Sequence, residues 1–163
     1  MYSIHATKKL LDRMHGPVSS AAPSTTTRLG NWYAKPLFWH PQYAIFISEA
    51  TFLPVFALLA PASSLADRFP DELATTLRAL RVPEPFIQSE LLAMNDVSVS
   101  KTNSRRLVGI LNELSTMAKR IRDFHPELTP IQITMELARV PLGLSGGDWR
   151  IPEDSLRDLT RAD

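Results

Sequence analysis

Two short segments of the sequence combine hydroxyl groups and cations at points where a predicted strand passes into a predicted helix. The first reads His5-Ala6-Thr7-Lys8-Lys9, and the second runs from Ser100 to Arg106. Backbone N–H groups at the start of a helix attract anions, whereas cations placed there oppose the helix dipole. Because a bound anion would reverse that repulsion, the junctions predict an anion site whose ligand-binding residues are Thr7, Lys8, Lys9, Lys101, Thr102 and Arg105.

The two junctions form one site only if their strands lie side by side. If both strands run parallel in one sheet, their carboxyl ends meet at the same edge. We expect phosphate groups of a nucleotide or of RNA as the ligand, with an acidic surface of a partner protein as the alternative. The competing interpretation is that both segments are solvated helix starts, whose lysine and arginine stems cover apolar surface.

His5 is the candidate acid/base residue, because it is the one histidine on a predicted strand beside cations. A metal-independent nuclease needs a proton-transfer pair near its cations, and only His5 with Glu49 or Glu113 offers one. The four histidines show no metal-ligand spacing, and the chain has no cysteine, so we expect no metal and no cofactor. The missing catalytic signature favours a non-enzymatic binding protein, with a metal-independent, toxin-like nuclease or nucleotide-directed enzyme as the alternative.

The composition limits the class of protein. A length of 163 residues with 44% hydrophobic and 21% charged residues is typical of one globular domain. A formal net charge of +1 argues against a non-specific polyanion binder. A protein with this charge can attract an anion only through a local basic patch. The first residues lack the features of a signal peptide. We expect a cytoplasmic protein that does not enter membranes.

The elements that position the two junctions follow from the spacing of apolar residues. Strands are predicted at 2–5, 32–39 and 97–100, and helices begin after Thr7, at Pro70, at Pro85, near residue 105 and at 129–130. This order predicts an α+β fold, with a mixed, mainly antiparallel sheet of about four or five strands and helices packed on it. Residues 1–163 form a single domain in this interpretation, with a mobile loop at 19–27 and an irregular C-terminal tail from residue 141.

Residues 43–62 are apolar enough to raise the question of a membrane-spanning helix. Glu49 and Pro54 interrupt the stretch, and apolar residues alternate on both sides of residues 49–51. This pattern predicts an antiparallel hairpin of strands 43–48 and 52–58. Because proline cannot donate to a strand ladder, Pro54 places the second strand at an edge or beside a bulge.

Four distinctive segments are spread over residues 1–125. They read TKKLL at 7–11, GNWYA at 30–34, ISEATFLPV at 47–55 and VGILNE at 108–113, and together they resemble an uncharacterised family of small bacterial proteins. That family has Thr-x-Asn-Arg-Ser before its long helix; here Arg105 matches the arginine, while Ser104 and Arg106 depart from the pattern. The resemblance implies a bacterial intracellular protein, implies no particular chemistry, and falls on the same two junctions.

Overall fold

The computed structural model describes residues 1–20, 23–143, 147 and 149–162, so parts of the expected loop at 19–27 and of the expected tail lie outside the described residues. Five strands form one sheet, and their bounds are β1 Tyr2–Ala6, β2 Trp32–Leu37, β3 Tyr43–Ser48, β4 Pro54–Leu58 and β5 Val97–Lys101. The helices of the described chain are α1 Lys8–Met14, α2 Leu65–Ala79, α3 Glu84–Ala93, α4 Arg105–Phe124, α5 Pro130–Leu137 and α6 Pro152–Arg161. A single 3-10 turn, Ala62–Ser64, precedes α2.

The strand order in the sheet is β4-β3-β2-β1-β5. Strand β1 runs parallel to β2 on one side and to β5 on the other. The pairings of β2 with β3 and of β3 with β4 are antiparallel. The predicted α+β fold with a mixed sheet is confirmed, although the pairings divide evenly between parallel and antiparallel instead of being mainly antiparallel. The even division arises because the chain returns after β1, so that β2 runs in the same direction as β1 with Trp32 opposite Ile4.

Strands β3 and β4 form the predicted antiparallel hairpin. Strand β4 starts at Pro54, two residues later than expected, because Phe52 adopts φ 63° and folds the chain back on itself. The guanidinium groups of Arg106 and Arg150 lie 5.3 and 4.6 Å from the Phe52 ring centroid and cover this turn. Pro54 lies on an edge strand, as predicted. In the described part of the chain, no helix combines the length and apolarity needed to cross a membrane.

Side chains from the two faces of the sheet belong to separate hydrophobic cores. Alternate residues such as Ile4, Trp32 and Phe46 pack with α1, α2 and α3. The intervening residues, such as Tyr33 and Ile45, pack with α4 and α5 on the opposite face. The sheet is therefore covered by helices on both sides, which explains why its central strands lack a solvent-facing polar stripe.

Three helix boundaries differ from the expectation. Helix α2 begins at Leu65, so Pro70 lies inside it and not at its first position. The proline removes one backbone hydrogen bond, and burial of Leu65 and Phe69 on the same helix offsets that loss. Helix α1 ends at His15, whose φ of 54° provides a left-handed cap one residue before Gly16. The expected irregular tail contains α6, with Pro152 in its first turn.

Candidate functional site

The carboxyl ends of β1 and β5 lie next to each other, with Ala6 opposite Lys101. The helices that follow these two strands pack on opposite faces of the sheet: Leu10 of α1 joins one core and Leu107 of α4 joins the other. In open sheets with parallel strands, such a divergence leaves a crevice outside the carboxyl ends, where ligands commonly bind. The two junctions singled out in the sequence thus meet at one crevice.

A cleft of about 540 Å³ occupies this crevice. We call it the basic cleft; it is lined by Ala6, Lys8, Leu11, Asp12, Val18, Lys101 and Thr102. It brings together three of the six predicted site residues, Lys8, Lys101 and Thr102. Among the described residues, neither lysine forms an ion pair, although Asp12 shares the cleft wall. Two ammonium groups and one carboxylate leave the cleft with an excess of positive charge, which suits an anion.

Arg105 lies in a neighbouring depression of about 560 Å³, which also contains Asn103 and Asn112. Thr102 lines both this depression and the basic cleft. Arg105 is exposed and forms no ion pair among the described residues. It therefore adds a third cation on the far side of Thr102.

The other two predicted residues, Thr7 and Lys9, line neither the basic cleft nor the Arg105 depression. The Thr7 hydroxyl is buried and has no hydrogen-bond partner in the described structure, while its N–H donates to the carbonyl of Ala34. Burial, with a smaller contribution from the positive charge of Lys9, lowers the pKa of Lys35. Lys9 of α1 thus forms a second pair of cations with Lys35 of β2.

The helix-start amides contribute less than the sequence suggested. Helix α1 has only seven residues, so its dipole is small. At the start of α4, the N–H of Leu107 already donates to the Ser104 hydroxyl, 3.2 Å away. Most of the positive charge at the crevice therefore comes from the lysine and arginine side chains.

His5 is held rigidly beside the basic cleft. Its side chain is 3% exposed, and Nδ1 lies 3.0 Å from both the Lys101 carbonyl oxygen and Ser100 Oγ. A carbonyl oxygen only accepts, so Nδ1 carries the hydrogen. The ring stacks on Tyr33 with 4.7 Å between centroids. His5 lines a third depression, which shares Lys101 and Thr102 with the basic cleft.

Tyr33 and Lys35, which were not predicted from the sequence, contact two asparagines that line the Arg105 depression. Burial raises the pKa of Tyr33, the negative charge of Glu49 raises it further, and a hydrogen bond with the Asn103 backbone lowers it. The protonated phenol therefore donates to Asn103 Oδ1. Lys35 Nζ donates to Asn112 Oδ1 over 3.1 Å. The pairing of His5 with Tyr33 across β1 and β2 is the signal that would have identified Tyr33, but strand order had to be known first.

Comparisons with known proteins place the chain in one family. Residues 3–155 match the family model described as Domain of unknown function (DUF6933). No curated protein and no solved structure matches the chain.

Proposed function

We propose that the protein binds a phosphate-bearing anion in the basic cleft. The chain belongs to DUF6933, a family whose description assigns no activity, so the geometry of the crevice is the basis of this proposal. The observation that carries the proposal is the position of Lys8, Lys101 and Thr102 in one cleft at the carboxyl ends of two adjacent parallel strands. Ammonium groups and a hydroxyl are ordinary phosphate ligands, and a charged hydrogen bond is about twice as strong as a neutral one.

The charge distribution supports a small anion in preference to a long polyanion. The formal net charge of +1 provides no general attraction for nucleic acid. Lys8, Lys101 and Arg105 concentrate positive charge on both sides of Thr102, which suits a ligand with one or two phosphates. RNA and an acidic partner protein are the alternatives that a binding experiment separates.

The test is a titration of the full chain with inorganic pyrophosphate by isothermal calorimetry at low salt. We expect binding that weakens as salt is added, because salt screens exposed charges. Lys101→Ala should weaken affinity by about tenfold or more, corresponding to about 1.4 kcal/mol. Arg120→Ala is the matched control, because it removes the same charge from an exposed position of α4 outside the three depressions.

Equal affinity of the wild-type protein and Lys101→Ala at low salt would refute the basic cleft as the site. Tight binding of a single-stranded RNA oligonucleotide without binding of pyrophosphate would favour RNA. Thermal denaturation of each variant shows whether the substitution has disturbed the fold.

A second candidate function is metal-independent cleavage of a phosphodiester bond, and the fixed ring of His5 favours it. Nδ1 donates a hydrogen bond to the Lys101 carbonyl oxygen, while Nε2 forms no hydrogen bond within the described part of the chain. A ring oriented in this way can exchange a proton with a substrate through Nε2.

His5→Asn separates cleavage from binding. The asparagine amide can still donate to the Lys101 carbonyl, but it lacks the second ring nitrogen. If the protein cleaves an RNA oligonucleotide in the presence of a chelator, the variant should lose about 100-fold or more in rate and keep its affinity for pyrophosphate. The absence of cleavage by the wild-type protein, with binding intact, would eliminate this candidate.

A further inference from the structure

A second cavity lies beside the basic cleft, between α1, the start of α2 and the edge strand β5. Its volume is about 410 Å³, and most of its wall is apolar, including Leu11, Met14, Val18, Val97 and Val99. Leu11 and Val18 also line the basic cleft. The two spaces therefore adjoin. We call the second space the apolar cavity.

The apolar cavity also contains a few polar groups. Ser63 and Asp67, whose side chains carry a hydroxyl and a carboxylate, lie on its wall. A mainly apolar space of roughly 300–1,000 Å³ with a few polar groups is typical of small-molecule sites. A carboxylate and a hydroxyl can accept hydrogen bonds from N–H groups of a ligand. An alkyl chain in the same space would leave these groups without partners, which is costly once water is excluded.

We infer that the ligand of this protein is a nucleoside phosphate, with its phosphate in the basic cleft and its base in the apolar cavity. The inference rests on the proposed function, because it assigns the anionic end of the ligand to Lys8, Lys101 and Thr102. A nucleobase has the chemistry that the apolar cavity requires: a flat ring with apolar faces and N–H donors at its edge.

Val18 connects the two halves of the site. Its side chain is 47% exposed, and it lines the apolar cavity, the basic cleft and the depression beside His5. A base in the apolar cavity would cover this exposed apolar surface, which favours binding. Substituting Val18 should therefore weaken binding of the base more than binding of the phosphate.

The test compares ligands that share the phosphate but differ in the base. Adenosine and guanosine monophosphate, ribose 5-phosphate and inorganic phosphate are titrated into the full chain at low salt. At least one nucleotide should bind about tenfold or more tightly than ribose 5-phosphate. Val18→Ser should reduce that ratio. Lys101→Ala should weaken all four ligands, whereas Arg120→Ala should weaken none.

A direct readout comes from the methyl group of Met14, which lines the apolar cavity. Ring currents of a bound base should shift its NMR resonance. Met135, in α5 on the other face of the sheet, is the internal control and should not shift.

The outcomes separate the two proposals. If both nucleotides bind no more tightly than ribose 5-phosphate and the Met14 resonance does not move, the inference is wrong, while phosphate binding still stands. If none of the four ligands binds, the proposed function itself has failed. If nucleotide binding is unaffected by Val18→Ser and by Lys101→Ala, the nucleotide binds elsewhere and the inference is again wrong.

Discussion

Glu90 shows how one buried side chain can hold a long loop. Its carboxylate is 2% exposed and accepts the N–H groups of Arg28 and Leu29 at 3.0 and 2.9 Å. These bonds tie the segment that leads into β2 to helix α3. Burial raises the pKa of Glu90, whereas the two N–H groups and the charges of Arg28 and the N-terminus lower it by less. The anchor therefore combines satisfied hydrogen bonds with an unfavourable buried charge.

The raised pKa of Glu90 predicts a specific pH dependence of stability. Because the folded pKa exceeds the unfolded value of about 4.3, the folded state binds the proton more strongly. This contribution to the free energy of unfolding is present below pH ~4.3 and is lost as the pH rises through the folded pKa. The Glu90→Gln variant lacks this pH-dependent contribution. It also leaves one backbone N–H without an acceptor, which costs about 1–3 kcal/mol.

Urea unfolding at a series of pH values measures the effect. The difference in unfolding free energy between the wild-type protein and Glu90→Gln should shrink as the pH rises, because other titrating groups cancel in that difference. Parallel pH profiles for the two proteins would contradict the role assigned to Glu90.

Helix α4 is the element for which sequence and structure agree most closely. Its apolar spacing predicts a buried stripe, and Leu111 and Leu114 are fully buried against β2 and β3. Replacing either with alanine should lower the free energy of unfolding by about 2–5 kcal/mol. Lys119→Ala should change it by no more than about 0.5 kcal/mol, because the side chain is 67% exposed even in its ion pair with Asp123.

Arg122 does not behave as the helical pattern indicates. By spacing alone it belongs with Lys119 on the solvent face, yet its guanidinium lies 4.5 Å from the Trp39 ring centroid and donates to the carbonyl of His40. Arg122→Ala should therefore cost more than Lys119→Ala, by about 1 kcal/mol. Urea titrations of the alanine variants of Leu111, Leu114, Lys119 and Arg122 would measure these differences in unfolding free energy. Equal midpoints for all four variants would show that the helix faces are misassigned.

The elements that the sequence predicted correctly depend on local patterns. The hairpin of β3 and β4 follows from alternation over 16 residues, and α4 follows from spacing within one helix. The order of β1, β2 and β5 was not predictable, because it depends on which buried faces meet across the whole chain. The same limit applies to the site: Thr102 and Lys101 were found by their junction, whereas Tyr33 joins His5 only through the register of two strands.

At the scale of the whole molecule, the crevice depends on chain segments that are far apart in sequence. Ala6 and Lys101 are paired residues of adjacent strands, and each is followed by the cations and hydroxyls of its own junction. In the unfolded chain these groups are separated by more than half the sequence. An anion held by both junctions therefore binds the folded protein and not the unfolded chain.

This linkage predicts that the ligand raises the melting temperature of the entire domain. A ligand at 100 times its Kd adds about 2.7 kcal/mol of stability, and about 1 kcal/mol raises Tm by roughly 2–4 °C in a domain of this size. Millimolar pyrophosphate should thus raise Tm by several degrees in the wild-type protein and in Arg120→Ala, and by much less in Lys101→Ala. The concentration must stay low, because concentrated phosphate stabilises proteins generally by exclusion from their surface. Differential scanning fluorimetry measures these shifts in Tm. Identical shifts in all three proteins would indicate a general salt effect and would argue against a site that joins β1 and β5.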